Sequence, residues 1–409
     1  MLIPIIFIAL LIGIIFSPIK RSKKILFCGI ILTLFGILAV YSVSTYESFH
    51  HTLKHGIDNA SNYFYFKGQI KNIIISLIIG ILVYKLPLHF FTNQRYNNWF
   101  MGIALIIQWI TLIIGKTFNG ATGWIHLGFT TVQPSEFFKI AYVLFIASRL
   151  VRKKTLMNDH KFVWLFIIIH IGILLVFTAI PDFGTILILG MISIVMVWYA
   201  GLSEKKVGII LGAAGISFMI LLGVLSLVSK SESFGGTKFA YLQNRLIGFF
   251  HNGSDEYSKT VNRQLEQSKL AIGGGGFRGQ GYGKGLQKFG YIPIAQSDFI
   301  FAAYSEEIGF IGNMSLLAMY FFLMFYFMSK IRNTKDELTR FIGIGLISTI
   351  IIQMFINIGV NLGIVPNTGI TLPFVSHGGT AFMANTIQLM LLYKITHQNE
   401  HHTLGYQTR

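Results

Sequence analysis

Charge of either sign is scarce in this chain. Only 12% of its 409 residues are Asp, Glu, Lys or Arg, against roughly 25% in an ordinary soluble domain. Such a chain has too little charge to cover a water-facing surface, which excludes a soluble globule. Acid is the scarcer sign, with 16 Asp and Glu against 33 Lys and Arg. Cysteine is almost missing. The single Cys28 lies inside an apolar run, which rules out an internal disulfide and gives no sign of a metal site. Prolines number eight, so long stretches are free to run as unbroken helix. No soluble domain, repeat or coiled coil is apparent.

What the chain has in abundance is apolar sequence. Hydrophobic residues make up 53% of it and the mean hydropathy is +0.63. Apolar runs fall near 2–18, 24–45, 71–91, 99–116, 135–151, 162–180, 183–200, 206–228, 309–328, 339–363 and 379–396. Runs near 20 residues cross a hydrocarbon core about 30 Å thick as helices. The pattern predicts an all-α integral membrane protein. It would be a polytopic bundle of about 10–11 transmembrane helices forming one membrane domain over 1–409. Residues 1–23 read as an extra N-terminal span rather than a signal peptide, because the basic cluster Lys20, Arg21, Lys23 and Lys24 follows the apolar run instead of preceding it.

The net charge of +17 does not point to nucleic acid, since no aromatic residues alternate with the basic ones as a stacking platform requires. The basic residues instead mark alternate loops. They gather at 20–24, at Arg95, at 149–161, at Lys205 and Lys206, and at 330–340. Lys and Arg enrichment marks the cytoplasmic side. The segments 46–70, 117–134, 229–297 and 364–378 then lie outside, the third as one large extracytoplasmic loop and the last as a re-entrant stretch.

Polar and helix-breaking residues at membrane depth are functional candidates, and four clusters of them map to the outer side. The first holds Trp124 and then Gln133-Pro134-Ser135-Glu136 with Lys139. Pro134 and Ser135 suit a helix start, with Ser135 near the N-cap. Glu136 and Lys139, three apart, share one helical face. They shape a cavity or merely neutralise each other, and Trp124 is equally suited to anchor at the interface. The second is Pro181-Asp182-Phe183-Gly184-Thr185, where Asp182 suits a helix cap. The third is the outer loop, with Arg245, Ser268, the glycine-rich run 273–285, Lys288 and finally Asp298. From 229 to 298 it carries nine Lys and Arg against five Asp and Glu. That excess suits a phosphorylated ligand, and glycine-rich backbone can form an anion nest. Asp298 stands where the loop re-enters apolar sequence, either as a base toward a hydroxyl or as a helix N-cap. The fourth is Val365 to Gly379, with Thr368, Ser376 and His377 among two prolines and several glycines. Broken backbone at that depth lines a cavity or is packed within protein.

In this order the clusters resemble the signature of the SEDS family, also called FtsW/RodA/SpoVE. Gln133 to Lys139 matches its Q-P-S-E-x-x-K block and Pro181 to Thr185 its P-D-x-G-T. Ala271 to Gly281 matches the glycine block. Asp298 to Phe301 with Glu306 to Gly312 matches D-F-I-F and E-E-x-G-F-x-G, and Thr368 to Gly379 matches the last block. The resemblance runs from about Tyr41 to Asn385. Some positions depart from it. Thr122-Gly123 replace a usual basic residue, Arg263-Gln264 stands for a Y-Q pair, and Asn367 replaces an apolar residue. Ile294 and Gln296 replace an acid and a histidine near Asp298, and His377 stands where tyrosine is common.

The resemblance implies a peptidoglycan glycosyltransferase of the bacterial cytoplasmic membrane. Such an enzyme polymerises lipid II, the undecaprenyl-diphosphate-linked disaccharide peptide, into glycan strands for division or elongation at the extracytoplasmic face. It also implies a class B penicillin-binding protein as crosslinking partner, and contact with membrane lipids but not nucleic acid. Asp298 would be catalytic. The expected substrate-binding residues are Trp124, Glu136, Lys139, Arg245, Ser268, Lys288, Thr368 and Ser376. No metal site or cofactor is marked by ligand spacing, although a divalent cation such as Mg²⁺ or Mn²⁺ is able to bridge a diphosphate and a carboxylate. Two other readings fit the same sequence, a lipid II flippase and an inactive scaffold for the crosslinking partner. A flippase would place its charges nearer the bilayer midplane.

Overall fold

The computed structural model describes residues 2–19, 22–54, 61–118, 121–126, 128, 131–153, 168–169, 172–173, 177, 182–213, 215, 256–332 and 334–407. The expected spans at 162–180 and 206–228 lie largely outside the described residues, and the first part of the expected outer loop (229–255), Arg245 and Pro181 lie wholly outside them. The helices are α1 (Leu2–Phe16), α2 (Lys23–Val43), α3 (Thr45–Lys54), α4 (Phe64–Lys85), α5 (His89–Thr92), α6 (Gln94–Ile114), α7 (Pro134–Arg152), α8 (Phe183–Tyr199), α9 (Glu256–Gly274), α10 (Ile300–Ile331), α11 (Glu337–Asn361) and α12 (Gly379–Gln407). Five of these, α2, α4, α6, α10 and α11, are long and apolar enough to cross a membrane. α7 is a membrane-length helix of 19 residues that also carries Glu136, Lys139, Arg149 and Arg152.

Burial follows the roles of the helices. α11 is apolar all round and buried nearly all round, as a central helix must be. α4 and α6 keep large residues such as Ile78, Leu82, Ile106 and Ile113 exposed, as lipid-facing helices do. α1 spans 15 residues, about 22 Å at 1.5 Å per residue, and packs Phe7 edge-on against Phe35 of α2 at 4.8 Å. The buried Lys394 of α12 donates to the Tyr84 carbonyl at 2.6 Å, so the C-terminal end of α4 neutralises a cation that the membrane would otherwise reject.

Two local structures differ from what the hydropathy pattern predicts. The segment after α6 is not a plain loop but a small antiparallel sheet of β1 (Lys116–Phe118), β2 (Ala121–His126) and β3 (Thr131–Val132) in that order. α7 begins at Pro134 with Gln133 as N-cap, so Ser135 sits in the first turn rather than at the cap. Asp182 does cap α8 as expected, accepting the Thr185 N–H at 3.0 Å and its hydroxyl at 2.8 Å.

α10 is broken at Gly309, whose φ of 66° and ψ of −169° leave the helical region. The consequence is a splice. In a continuous helix the N–H groups of Phe310 and Ile311 would bond to the carbonyls of Glu306 and Glu307. Here the loop at 276–281 inserts between them. Phe310 and Ile311 donate to Gly276 and Phe277 at 2.9 and 3.2 Å, while Glu306 and Glu307 accept from Gln280 and Gly281 at 2.9 and 3.0 Å. Two helical bonds become four, so the break leaves these backbone groups satisfied, as a membrane-buried segment requires. Glycine is needed on both sides. A Cβ on Gly309 would lie 2.1 Å from the Gly279 nitrogen, and one on Gly279 would lie 2.2 Å from the Glu307 oxygen.

Candidate active site

The N-termini of α7, α8, α10 and α12 and the C-terminus of α11 gather at one end of the bundle. Gln133 donates from its backbone to the Thr380 hydroxyl at 3.3 Å, joining the starts of α7 and α12. The Thr368 carbonyl and Ile370 lie against Gly184 at the start of α8. Ser376 ties the segment before α12 to the segment before α10, its hydroxyl donating to the Ser297 carbonyl at 2.6 Å and accepting the Leu372 N–H at 2.8 Å. The His377 N–H adds a bond to the Gln296 carbonyl at 2.9 Å. Residues far apart in sequence therefore meet here, and helix N-termini carry partial positive charge toward whatever binds at that end.

Asp298 is half-buried, one residue before the Phe299 N-cap of α10. It is therefore not itself the N-cap, the plain structural role open to it in the sequence. Its carboxylate accepts the Ser297 hydroxyl at 2.9 Å. Its backbone carbonyl accepts two side-chain amides of α11, from Asn357 at 2.9 Å and Asn361 at 3.0 Å. Ser268 is buried and donates to the Asn361 carbonyl at 2.7 Å. Thr368 is buried near the start of α8. Ser376 thus braces the backbone beside Asp298, and Ser268 holds the backbone of Asn361.

Glu136 and Lys139 form an ion pair at 2.8 Å, with the lysine side chain 1% exposed. Both stay in the first turn and a half of α7, where the carboxylate also complements the helix N-terminus. Trp124 is half-buried on β2, paired across the sheet with Lys116.

The basic loop divides into two kinds of lysine. Lys269, Arg278 and Lys284 are exposed. Lys288 is turned inward, its ammonium 2.6 Å from the Glu307 carboxylate and 3.0 Å from the Ser42 hydroxyl. The same carboxylate accepts the Ser42 hydroxyl at 2.7 Å and the Gly283 N–H at 2.9 Å. Lys288 was expected to meet a diphosphate, and the structure instead seats it as a latch between the loop, α2 and α10. The glycine N–H groups are similarly engaged. Those of Gly275, Gly276 and Gly279 bond to carbonyls of the segment itself and those of Gly281 and Gly283 bond to Glu307 of α10, so in this structure these N–H groups are spent within the protein instead of forming an anion nest. Among the described residues no group of three His, Cys, Asp or Glu side chains is arranged to hold a metal ion.

The sequence alone did not single out Ser42, Asn357 or Asn361. The signal was present for the last two, as polar residues four apart in an otherwise apolar stretch, but a buried amide in a membrane helix is often only interhelical packing.

A family model described as "Cell cycle protein", that of the FtsW/RodA/SpoVE proteins, matches residues 22–401. The chain belongs to the FtsW/RodA/SpoVE family. Its curated relatives include a protein of Nitrosomonas europaea named as a probable peptidoglycan glycosyltransferase FtsW. It is 29% identical over 395 residues, covering 94% of this chain and 95% of the relative. A likewise named protein of Escherichia coli O157:H7 is 32% identical over 342 residues, 82% of this chain and 78% of its own length. Among solved structures, the rod shape determining protein RodA of Thermus thermophilus superposes with a TM-score of 0.63 at 20% identity, covering 92% of this chain and 97% of its own. A chain from a peptidoglycan synthase complex that coordinates polymerization and crosslinking gives a TM-score of 0.69 at 19% identity, with the same coverage. The FtsW/RodA/SpoVE fold is therefore that of this multi-pass membrane protein. The sequence blocks that suggested the family fall on the converging helix ends and on the splice of α10.

Proposed function

We propose that this FtsW/RodA/SpoVE-family chain is a peptidoglycan glycosyltransferase that polymerises lipid II, with Asp298 as the base. The observation that carries the reading is the setting of Asp298: a half-buried carboxylate on a braced backbone, at the end of the bundle where four helix N-termini meet. The acceptor is a sugar 4-hydroxyl. Its oxygen forms the new bond to C1 of the donor sugar as the C1–oxygen bond to the lipid diphosphate breaks. Asp298 takes the hydroxyl proton, and the diphosphate leaves with the bonding electrons. The exposed Lys269, Arg278 and Lys284 and the helix N-termini offset the charge that develops on it, with Arg245 a further candidate. Glu136 and Lys139 shape the floor of the site beside Trp124, and Thr368 lines it. Lys288 holds the loop from beneath. Asp298 offers a cation one carboxylate, which suits a Mg²⁺ or Mn²⁺ held mainly by substrate phosphates and water.

The site faces outward from the bacterial cytoplasmic membrane, and the partner is a class B penicillin-binding protein. The named complex among the structural neighbours, which couples polymerization to crosslinking, supports that pairing. The test is polymerisation of lipid II by purified protein, alone and with the partner, for the native chain and Asp298→Asn. Strands from the native chain and none from the folded variant are expected. Normal turnover by Asp298→Asn would sink the base role. Strands from neither, where a relative succeeds, would favour transport or scaffolding.

A further inference from the structure

The base needs more than a carboxylate, because the segment that carries it is irregular. Residues 286–299 contain no helix or strand, so no local ladder fixes the backbone at Asp298. A catalytic group on such a segment has to be held by neighbours. The two peptide units flanking the Asp298 Cα are both gripped from outside. The Ser297 carbonyl accepts the Ser376 hydroxyl at 2.6 Å. The Asp298 carbonyl accepts the amides of Asn357 and Asn361 at 2.9 and 3.0 Å, which fills both of its lone pairs. With both peptide planes held, φ and ψ of Asp298 are fixed.

We propose that Asn357 and Asn361 are positioning residues for the glycosyl transfer, which together set where the Asp298 carboxylate meets the acceptor hydroxyl. The proposal rests on the reading of Asp298 as the base. Both asparagines are fully buried. Their spacing of four places them on one face of α11, and both face the same carbonyl. Each spends both of its amide N–H groups. Asn357 donates its second N–H to the Ile370 carbonyl at 2.7 Å, and Asn361 its second to the Asn357 carbonyl at 2.8 Å. Asn361 also accepts the Ala302 N–H at 3.0 Å, in the first turn of α10. That last bond is a helix cap supplied from another helix, and it explains Asn361 as ordinary structure. It does not explain Asn357, which takes no part in the cap and instead joins Asp298 to the segment bearing Thr368 and Ser376. At 361 only an amide side chain both donates twice and accepts once.

Two substitutions separate positioning from scaffolding. Asn361→Asp keeps the acceptor for Ala302 and removes the donors. Asn357→Leu removes the donors without adding charge. Their shared loss is an N–H given to the Asp298 carbonyl. Both are measured as full-length protein in the assay for lipid II polymerisation, with thermal unfolding run alongside. The expected result is a kcat reduced about 10- to 100-fold in each, with KM for the lipid-linked substrate within about twofold of native. Asn361→Asp sets a carboxylate against the Asp298 and Asn357 carbonyls, so it should unfold below the native temperature, and its kcat is normalised to folded protein. If Asn357→Leu does not accumulate as folded protein, Asn357→Ser takes its place. A kcat within about threefold of native in both folded variants would overturn the proposal. So would a loss confined to Asn361→Asp, since that assigns the effect to the new charge, or a loss confined to KM. Asp298→Asn in the same series keeps the two ideas apart. If it is active, the base reading fails. If it is dead while both asparagine variants work, the positioning role alone fails.

Discussion

Removing the Lys288 ammonium asks the sharpest question of this structure, because the sequence suggested a ligand contact and the fold shows a latch. The ammonium and the Glu307 carboxylate are 2.6 Å apart with side chains 3% and 0% exposed. In Lys288→Met the carboxylate keeps only the Ser42 hydroxyl and the Gly283 N–H as donors. Breaking a buried pair by removing one partner costs about 3–5 kcal/mol, because a desolvated charge is left behind. Glu307→Gln strands the ammonium at a similar cost. Combining the two leaves no charge, and the Gln carbonyl still accepts from Ser42 or Gly283. The double variant should therefore lie within about 2 kcal/mol of native, a coupling of several kcal/mol for a pair in direct contact. The assay is unfolding of purified protein in mixed SDS–detergent micelles for the four members of the cycle, with polymerisation normalised to folded protein. Single variants markedly less stable than the double, with KM for lipid II near native in all, would establish the latch. Lys288→Met with native stability and a steeply raised KM would refute it and return Lys288 to the diphosphate.

Two further outcomes follow from the geometry. Gly309→Ala places a Cβ 2.1 Å from the Gly279 nitrogen at a φ of 66°, so it should destabilise by more than about 3 kcal/mol. Gly190→Ala on α8, which meets nothing within 4 Å, should unfold like the native protein, and equal stability of the two variants would refute the splice. Burial pushes the His377 imidazole down to about 4, so the folded state resists a proton that the unfolded chain takes up near pH 6.5. Its contribution is complete above that pH and is lost as pH falls from 6.5 toward 4, about 2 kcal/mol of it by pH 5. His377→Gln should flatten part of the native drop in unfolding temperature between pH 7 and pH 5, and an unchanged slope would show that the ring is not held neutral.

Much of this protein is settled one residue at a time along the chain. Scarce charge and long apolar runs leave only a helical membrane bundle, since backbone groups in lipid must bond within their own segment. That is why α2, α6, α8 and α11 begin and end within a few residues of their apolar runs. The Asp182 cap was legible for the same reason, because a cap reaches only the next turn. The motif blocks were also legible as strings, and with them the family. The direction of each side chain was not, because it depends on what packs from elsewhere in the sequence. Lys288 reads as a cation for a ligand until α2 and α10 bring Ser42 and Glu307 to it. The glycine run reads as an anion nest until its N–H groups turn to carbonyls of their own segment and to Glu307 beside the break at Gly309. Asn357 and Asn361 read as packing until the chain before α10 lays the Asp298 carbonyl across them. Hydropathy is a property of each stretch by itself, whereas a hydrogen bond between residues some 60 apart exists only once the bundle has closed.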